Sequence, residues 1–207
     1  EDAEEYNRVL GLDFNLRTED NKWIGRYYLH KSFAPEAGDK DFSSGGYLEY
    51  NTREWKFNLG STYVGEDFQA DLGFVRRNDV LSIDPVATRV FYPKGSKVNT
   101  HTIEVRSNAT WSPDLDYRFT DSMVDLEYQI QLRNQTSFEM ALNHRYTYLL
   151  EDFDPTGSEE GEPLPAFTGY SYSKFDFTYR SDRRKPFSFY LRTDLGEFFN
   201  GYKYSLT

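Results

Sequence analysis

The sequence predicts an all-β protein, an antiparallel up-and-down transmembrane β-barrel of about ten wall strands, and three observations carry that prediction. Apolar and polar residues alternate with period two in segment after segment, the segments are long, and the breaks between them alternate between short and long. A mean hydropathy of −0.77 does not oppose this. A barrel strand shows lipid only every second residue, so a polar average coexists with a continuous apolar exterior.

From the N-terminus, Leu10, Leu12, Phe14 and Leu16 oppose Gly11, Asp13, Asn15 and Arg17, and Trp55, Phe57, Leu59 and Tyr63 oppose Lys56, Asn58 and Thr62. Ile103, Val105, Ala109 and Trp111 then oppose Thr102, Glu104, Arg106 and Asn108. The clearest case follows, with Val124, Leu126, Tyr128, Ile130 and Leu132 set against Asp125, Glu127, Gln129, Gln131 and Arg133. A helix would scatter those charges around its axis; a strand sorts them onto one face. Phe138, Met140, Leu142, Tyr146 and Tyr148 continue the series, then Phe175, Phe177 and Tyr179, and finally Phe187, Phe189, Leu191 and Leu195. Most of these runs reach about nine residues, beyond the usual five or six of a globular strand and within the nine to eleven of a tilted membrane strand.

Tight polar turns are expected at 18–22, 52–54, 93–97, 134–136 and 181–185, and long outer loops near 33–44, 64–78, 112–121 and 150–168. Short inner turns and longer outer loops are the asymmetry of outer-membrane barrels. Segment 64–78 is ambiguous, because Phe68, Ala70, Leu72 and Phe74 alternate with Gln69, Asp71 and Gly73 as a strand would. One more crossing would put the later short turns on the wrong side, so 64–78 is read as an outer excursion with Phe68, Leu72 and Phe74 packing on other loops. With ten strands the first would start, and the last finish, on the outer side. Residues 1–207 are therefore expected to be a single β-barrel segment, an interior piece of a larger barrel, with Glu1 downstream of a longer or processed N-terminal part.

Aromatic spacing agrees. Trp23, Trp55, Phe91, Phe138, Tyr179 and Phe187 lie beside the short turns, and Tyr63, Trp111, Tyr146 and Tyr148 toward the long loops. Trp55 to Tyr63 spans roughly 21 Å of depth at a tilt of about 40°, against an apolar band of about 25 Å. Two such belts suit the two bilayer interfaces, since Trp and Tyr carry an apolar body and a polar tip.

Composition excludes several classes. The 34 acidic residues against 24 Lys+Arg give a formal charge of −10, which disfavours a phosphate-binding surface and hence a nucleic-acid partner. There is no Cys, so neither disulfides nor thiolate metal sites arise. No apolar run approaches the roughly 18 to 20 residues of a spanning helix. The alternative fold is a soluble antiparallel sandwich with the apolar set inward.

The chemistry-bearing residues favour no catalytic, cofactor or metal site. Of three histidines, His101 and His144 share parity with the lipid face and only His30 with the lumen, and no nucleophile elbow or zinc-binding helix motif is present. Asp152 and Asp154, in an acidic loop that includes Glu159 and Glu160, lack the full order of a calcium loop. The polar face mixes signs, for example Arg26, Arg133, Arg145 and Arg180 with Asp13, Asp125, Glu127 and Glu139, which favours ion pairs across strands over an ion-selective pore. The loop aromatics Phe68, Phe74, Phe153, Phe167, Tyr170 and Tyr172 suit either sugar stacking or packing over the barrel mouth.

Residues 6–16 (YNRVLGLDFNL), 63–76 (YVGEDFQADLGFVR), 91–94 (FYPK), 146–155 (YTYLLEDFDP) and 181–184 (SDRR) resemble an uncharacterised Bacteroidetes-type outer-membrane protein family. In its members an N-terminal domain similar to carbohydrate-binding family nine precedes a C-terminal β-barrel region, and this chain resembles part of that region. The resemblance implies a bacterial outer-membrane location and a link to glycan handling, with any glycan-binding module outside these residues. The function expected is a non-enzymatic barrel or barrel segment, structural or transport-associated. Its expected partners are outer-membrane lipid and, beyond that, glycan or other envelope proteins. The competing reading is a soluble secreted or periplasmic all-β carbohydrate-binding module.

Overall fold

The period-two segments become strands in the computed structural model, which describes residues 6–35, 38–95, 97–157 and 162–207. The strands are β1 (Arg8–Arg17), β2 (Trp23–Phe33), β3 (Phe42–Asn51), β4 (Trp55–Val64), β5 (Val80–Phe91), β6 (Val98–Ser112), β7 (Arg118–Leu132), β8 (Ser137–Tyr148), β9 (Gly169–Arg180), β10 (Tyr190–Phe198) and β11 (Gly201–Leu206). They form an 11-stranded antiparallel sheet in which each strand pairs with its neighbours in sequence. A 3-10 turn, Pro113–Leu115, is the sole helical element among the described residues. The sheet is not closed into a barrel.

The chain divides into two compact units: Glu1–Thr52, Phe57–Pro85 and Asn108–Phe119, and Arg53–Lys56, Val86–Ser107 and Thr120–Thr207. In the first, β1, β2 and β3 pair without a slip, Leu12 opposite Leu29 and Phe14 opposite Tyr27, with Asp13 opposite Tyr28 on the other face. Gly11 is needed for close approach, since a Cβ there would collide with the ring of His30. In the second, one row of partners runs Leu126, Leu142, Phe175, Leu195, Tyr204 across β7 to β11. The next row reads Glu127, Ala141, Asp176, Asp194, Ser205.

Burial is inverted relative to a soluble sheet. Among the described residues the buried hydrophobic ones are Val64, Phe68, Leu149 and Leu164, at strand ends and in loops, whereas Ser43, Thr88, Thr110, Asn143 and Thr178 are buried within strands. Leu12, Leu59 and Leu142 meanwhile stand 74%, 52% and 58% exposed. Ordinarily the informative departures are a buried polar group or a large exposed apolar patch; here both occur on opposite faces of one sheet.

Three expectations need correction. The described residues form eleven strands rather than ten, because the chain turns back at Phe199 and Asn200 to form β11; β11 therefore ends toward the short-turn side. The turn expected at 181–185 runs to 189, so Phe187 and Phe189 precede β10. Ser181 fixes it, accepting from the Phe189 amide at 2.7 Å and donating its own amide to the Phe189 carbonyl at 3.0 Å. The loop expected at 112–121 shrinks to 113–117 because β6 and β7 extend to 15 residues each. Sorting by length is thus plain for 52–54 against 65–79, and reversed for 181–189 against 199–200.

The 18–22 turn shows how local polar chemistry sets a tight reversal. Asn21 takes the left-handed conformation at φ 55°, which Asn tolerates better than most residues. The Lys22 ammonium at 2.8 Å, the Thr18 hydroxyl at 2.8 Å and the Lys22 amide at 3.1 Å all converge on Asp20. In that order they hold its carboxyl at about 2, below the ordinary 3.8. A depressed carboxylate contributes above its unfolded value, so the turn loses this contribution as pH falls from about 4 toward 2. A carbon-detected NMR titration of Asp20 is expected to give a midpoint of about 2, moving toward 3.8 in Lys22→Ala; an ordinary midpoint in the unaltered chain would contradict this arrangement.

Candidate functional site

The polar face is a set of paired side chains. Arg145 grips Asp125 with both terminal nitrogens, Arg180 reaches Glu139 at 3.1 Å, and Asn143 donates to Asp176 at 2.8 Å. Arg26 meets Asp13 at 3.1 Å, Thr88 donates to Glu104 at 2.9 Å, and Asn108 donates to Asp84 at 2.6 Å. The expected pairing across strands is present, and some pairs lie instead within one strand two residues apart, as in Arg192 with Asp194 at 3.0 Å and Arg106 with Glu104. Residues two apart on a strand share a face, so both geometries neutralise charge on the same surface.

Residues 65–79 connect β4 to β5 without a regular strand and form the most elaborately tied loop in the first unit. Gly65 donates to the Phe42 carbonyl at 2.9 Å and Asp67 to that of Lys40 at 3.1 Å, while the Lys40 amide returns a bond to the Asp67 carboxylate at 3.1 Å. The Gln69 amide donates to Ser32 Oγ at 3.1 Å, and Asn7 donates to the Gln69 carbonyl at 3.2 Å. Asn78 closes the loop on itself, its amide donating to the carbonyls of Glu66 and Phe68 at 2.8 and 2.9 Å. Of the three residues expected to pack, Phe68 is buried, whereas Leu72 and Phe74 are almost fully exposed. The tethers hold the loop's two limbs and leave its tip projecting.

Beneath it, Asp79 accepts from the Ser112 hydroxyl and, at 2.8 Å, from the Asp114 amide, while Lys40 pairs with Asp114. Glu66 hydrogen-bonds to Asp114, and that contact, with the negative charge beside it, raises the Glu66 carboxyl above its ordinary range. The same bond, then Lys40, lowers Asp114. When Glu66 carries its proton, that proton joins two carboxyl groups that would otherwise repel.

The histidines sit on the faces their parity assigns. His30 packs on Tyr28 at 4.7 Å, and His101 Nδ1 lies 2.6 Å from the Tyr128 hydroxyl. His144 Nδ1 lies 2.9 Å from Ser173 Oγ, and Glu197 accepts from the Ser173 backbone amide rather than contacting the imidazole among the bonds of the described residues. In the acidic loop Asp154 accepts from the amide and hydroxyl of Thr156, and Asp152 from the Ala166 amide, so both act as turn acceptors. Glu159 and Glu160 lie outside the described residues.

The loop aromatics divide. Phe153, Tyr170 and Tyr172 surround Phe199 at 5.3, 5.7 and 5.1 Å between ring centroids, while Phe74 and Phe167 are exposed. Phe199, which adopts φ 52°, is the residue missed; the adjoining Asn200-Gly201 pair was its signal, since Asn-Gly is a strong hairpin indicator. Comparison with family models, curated proteins and solved structures yields no match.

Two outcomes test the tethered loop. In Gly65→Ala the new Cβ meets the Lys40 carbonyl oxygen, whereas Gly73→Ala meets nothing closer than 3.5 Å. Limited proteolysis is expected to cut within 69–77 faster in the first variant and at the unaltered rate in the second. Because Glu66 is raised, its bond to Asp114 is present at low pH and lost as pH climbs through the Glu66 titration. The hydrogen-exchange protection factor across 65–79, corrected for the intrinsic base-catalysed rate, should fall over that interval, and Glu66→Gln should remove the fall.

Proposed function

We propose that this chain is a wall segment of a bacterial outer-membrane β-barrel, non-enzymatic and structural or transport-associated, with lipid as the partner of its apolar face. The observation carrying the reading is the inverted burial: alternate residues give an apolar row in which Leu126, Leu142, Leu195 and Tyr204 are exposed and a half-buried, internally paired polar row. In water that apolar row is an aggregation hazard, since exposed patches of more than a few hundred Å² are rare on soluble monomers. In a bilayer it is the required exterior.

Aromatic rings near the strand ends support it further. Trp23 packs on Tyr50 at 4.9 Å, Arg89 lies over Trp55 at 4.6 Å, and Phe138 meets Tyr179 at 5.0 Å, all beside short turns. Phe42 with Tyr63 and Trp111 with Phe119, each at 5.7 Å, lie toward the other strand ends. Mixed-sign pairing on the polar face favours a plugged or weakly selective lumen. A link to glycan handling rests on the family resemblance and on the exposed rings of Phe74 and Phe167.

Partition separates this from the soluble carbohydrate-binding alternative: a detergent requirement and heat-modifiable gel mobility are expected, and a monomer stable without detergent overturns the proposal. Ile130, on the same face, lies two residues from the end of β7, so Leu126, opposite Leu142, is the better probe. Leu126→Arg is expected to cost about 2 to 4 kcal/mol in lipid, and close to nothing if that face meets water.

A further inference from the structure

We infer that the 181–189 turn of the second unit holds an anionic phospholipid, with Arg183 and Lys185 on its headgroup phosphate and Phe187 and Phe189 against its acyl chains. The inference rests on the membrane-wall reading above and adds to it a lipid class and a place. The turn's depth is the first support. The β9–β10 ladder ends at Arg180 opposite Tyr190, and Phe189 packs on Tyr179 at 5.2 Å. Tyr179 stands in the row Phe138, Tyr179, Leu191 on the apolar face. Aromatic rings at such strand ends sit at headgroup level, so Arg183 and Lys185, four and six residues past Tyr179, emerge where the phosphates are.

Charge is the second support. Arg106, Arg145, Lys174, Arg180 and Arg192 on the strands of this unit each pair with a carboxylate. In the turn the one acid, Asp182, is buried and already taken: Arg184 reaches its two oxygens with Nε and a terminal nitrogen, both at 3.0 Å, and adds its own amide at 3.0 Å. Arg183 and Lys185 are exposed and have no carboxylate partner among the described residues. The neighbouring turns add Lys94, Lys97 and Arg133 and no acid, and the Arg133 amide ties two of those turns together through the Lys97 carbonyl at 3.0 Å. At the other strand ends of the same unit the described part of 149–168 carries Glu151, Asp152, Asp154 and Glu162 and neither Lys nor Arg. A chain of net charge −10 thus concentrates unpaired cations at one end of this unit. Solubility alone gives no reason for that segregation, whereas a phosphate-bearing surface does.

The apolar residues identify the partner as a lipid rather than an acidic protein or a free phosphate. Phe187 and Phe189 are 91% and 64% exposed, although Ser181 holds both ends of the turn by two hydrogen bonds to Phe189. A fixed turn that presents two cations and then two bare rings beside a bilayer matches an amphiphile with an anionic head and apolar chains.

The test places the photocrosslinker p-benzoylphenylalanine at Phe187 or Leu126 of the full chain, in vesicles of equimolar phosphatidylglycerol and phosphatidylcholine with identical acyl chains. Adducts are counted by lipid class in a mass spectrometer. The Phe187 probe is expected to favour phosphatidylglycerol by about fivefold or more, the preference one cation contributes beside an anionic surface, and the Leu126 probe to favour neither. Arg183→Gln with Lys185→Gln should abolish the preference, while Lys203→Gln and excess soluble glycerol phosphate should leave it. Equal adducts at Phe187, a preference that survives the double substitution, or one lost in Lys203→Gln overturns the inference; displacement by glycerol phosphate makes it a free-phosphate site and does the same. Lipid adducts at Leu126 uphold the membrane-wall reading whatever the turn does, and their absence removes that reading and the inference with it.

Discussion

Everything in this structure depends on register. Each strand bonds only to its sequence neighbours, so the one remaining freedom is which face each side chain takes, and a slip of a single residue would exchange the two faces completely. The row from Leu126 to Tyr204 and the adjacent row from Glu127 to Ser205 stay separate across five strands because no bulge intervenes. Apolar residues on an exposed face stabilise no soluble core; they make the register errors costly only where that face meets lipid and the other meets paired charge.

The polar face contributes specificity in the same way. Asp176 sits directly opposite Asp194, a like-charge pair that is destabilising by itself. Asn143 donates to Asp176 and Arg192 pairs with Asp194, while Lys174 lies 3.6 Å from Asp176. Moving β10 by one residue relative to β9 would separate these groups and leave carboxylates facing apolar side chains. Individually such half-exposed pairs are worth about 1 kcal/mol or less; as a set they disfavour the alternative registers.

The strands were legible in the sequence because period two is a direct image of facing, and His30, His101 and His144 fell on the faces their parity indicated. Strand ends were less legible, since alternation does not mark where pairing stops. Phe187 and Phe189 continue the apolar pattern into the 181–189 turn, which the two hydrogen bonds between Ser181 and Phe189 close. The eleventh strand was hidden for a related reason. Its turn is only Phe199 and Asn200, and Phe199 holds a left-handed conformation uncommon for a bulky residue, supported by rings that come together only in three dimensions.

The 65–79 loop shows where local pattern yields to tertiary bonding. Phe68, Ala70, Leu72 and Phe74 alternate as well as any strand, yet a strand there would need a neighbour for its backbone, and the amides of Asp67, Gln69 and Asp71 go instead to Lys40, Ser32 and Asn7. Those partners lie on three successive stretches of chain, so the loop crosses the strand ends instead of joining the sheet. Only Phe68 gains burial by this route. The same alternation that forms a sheet elsewhere therefore becomes a tether with an apolar tip, and the difference resides in the positions of Ser32, Lys40 and Asn7 rather than in the segment itself.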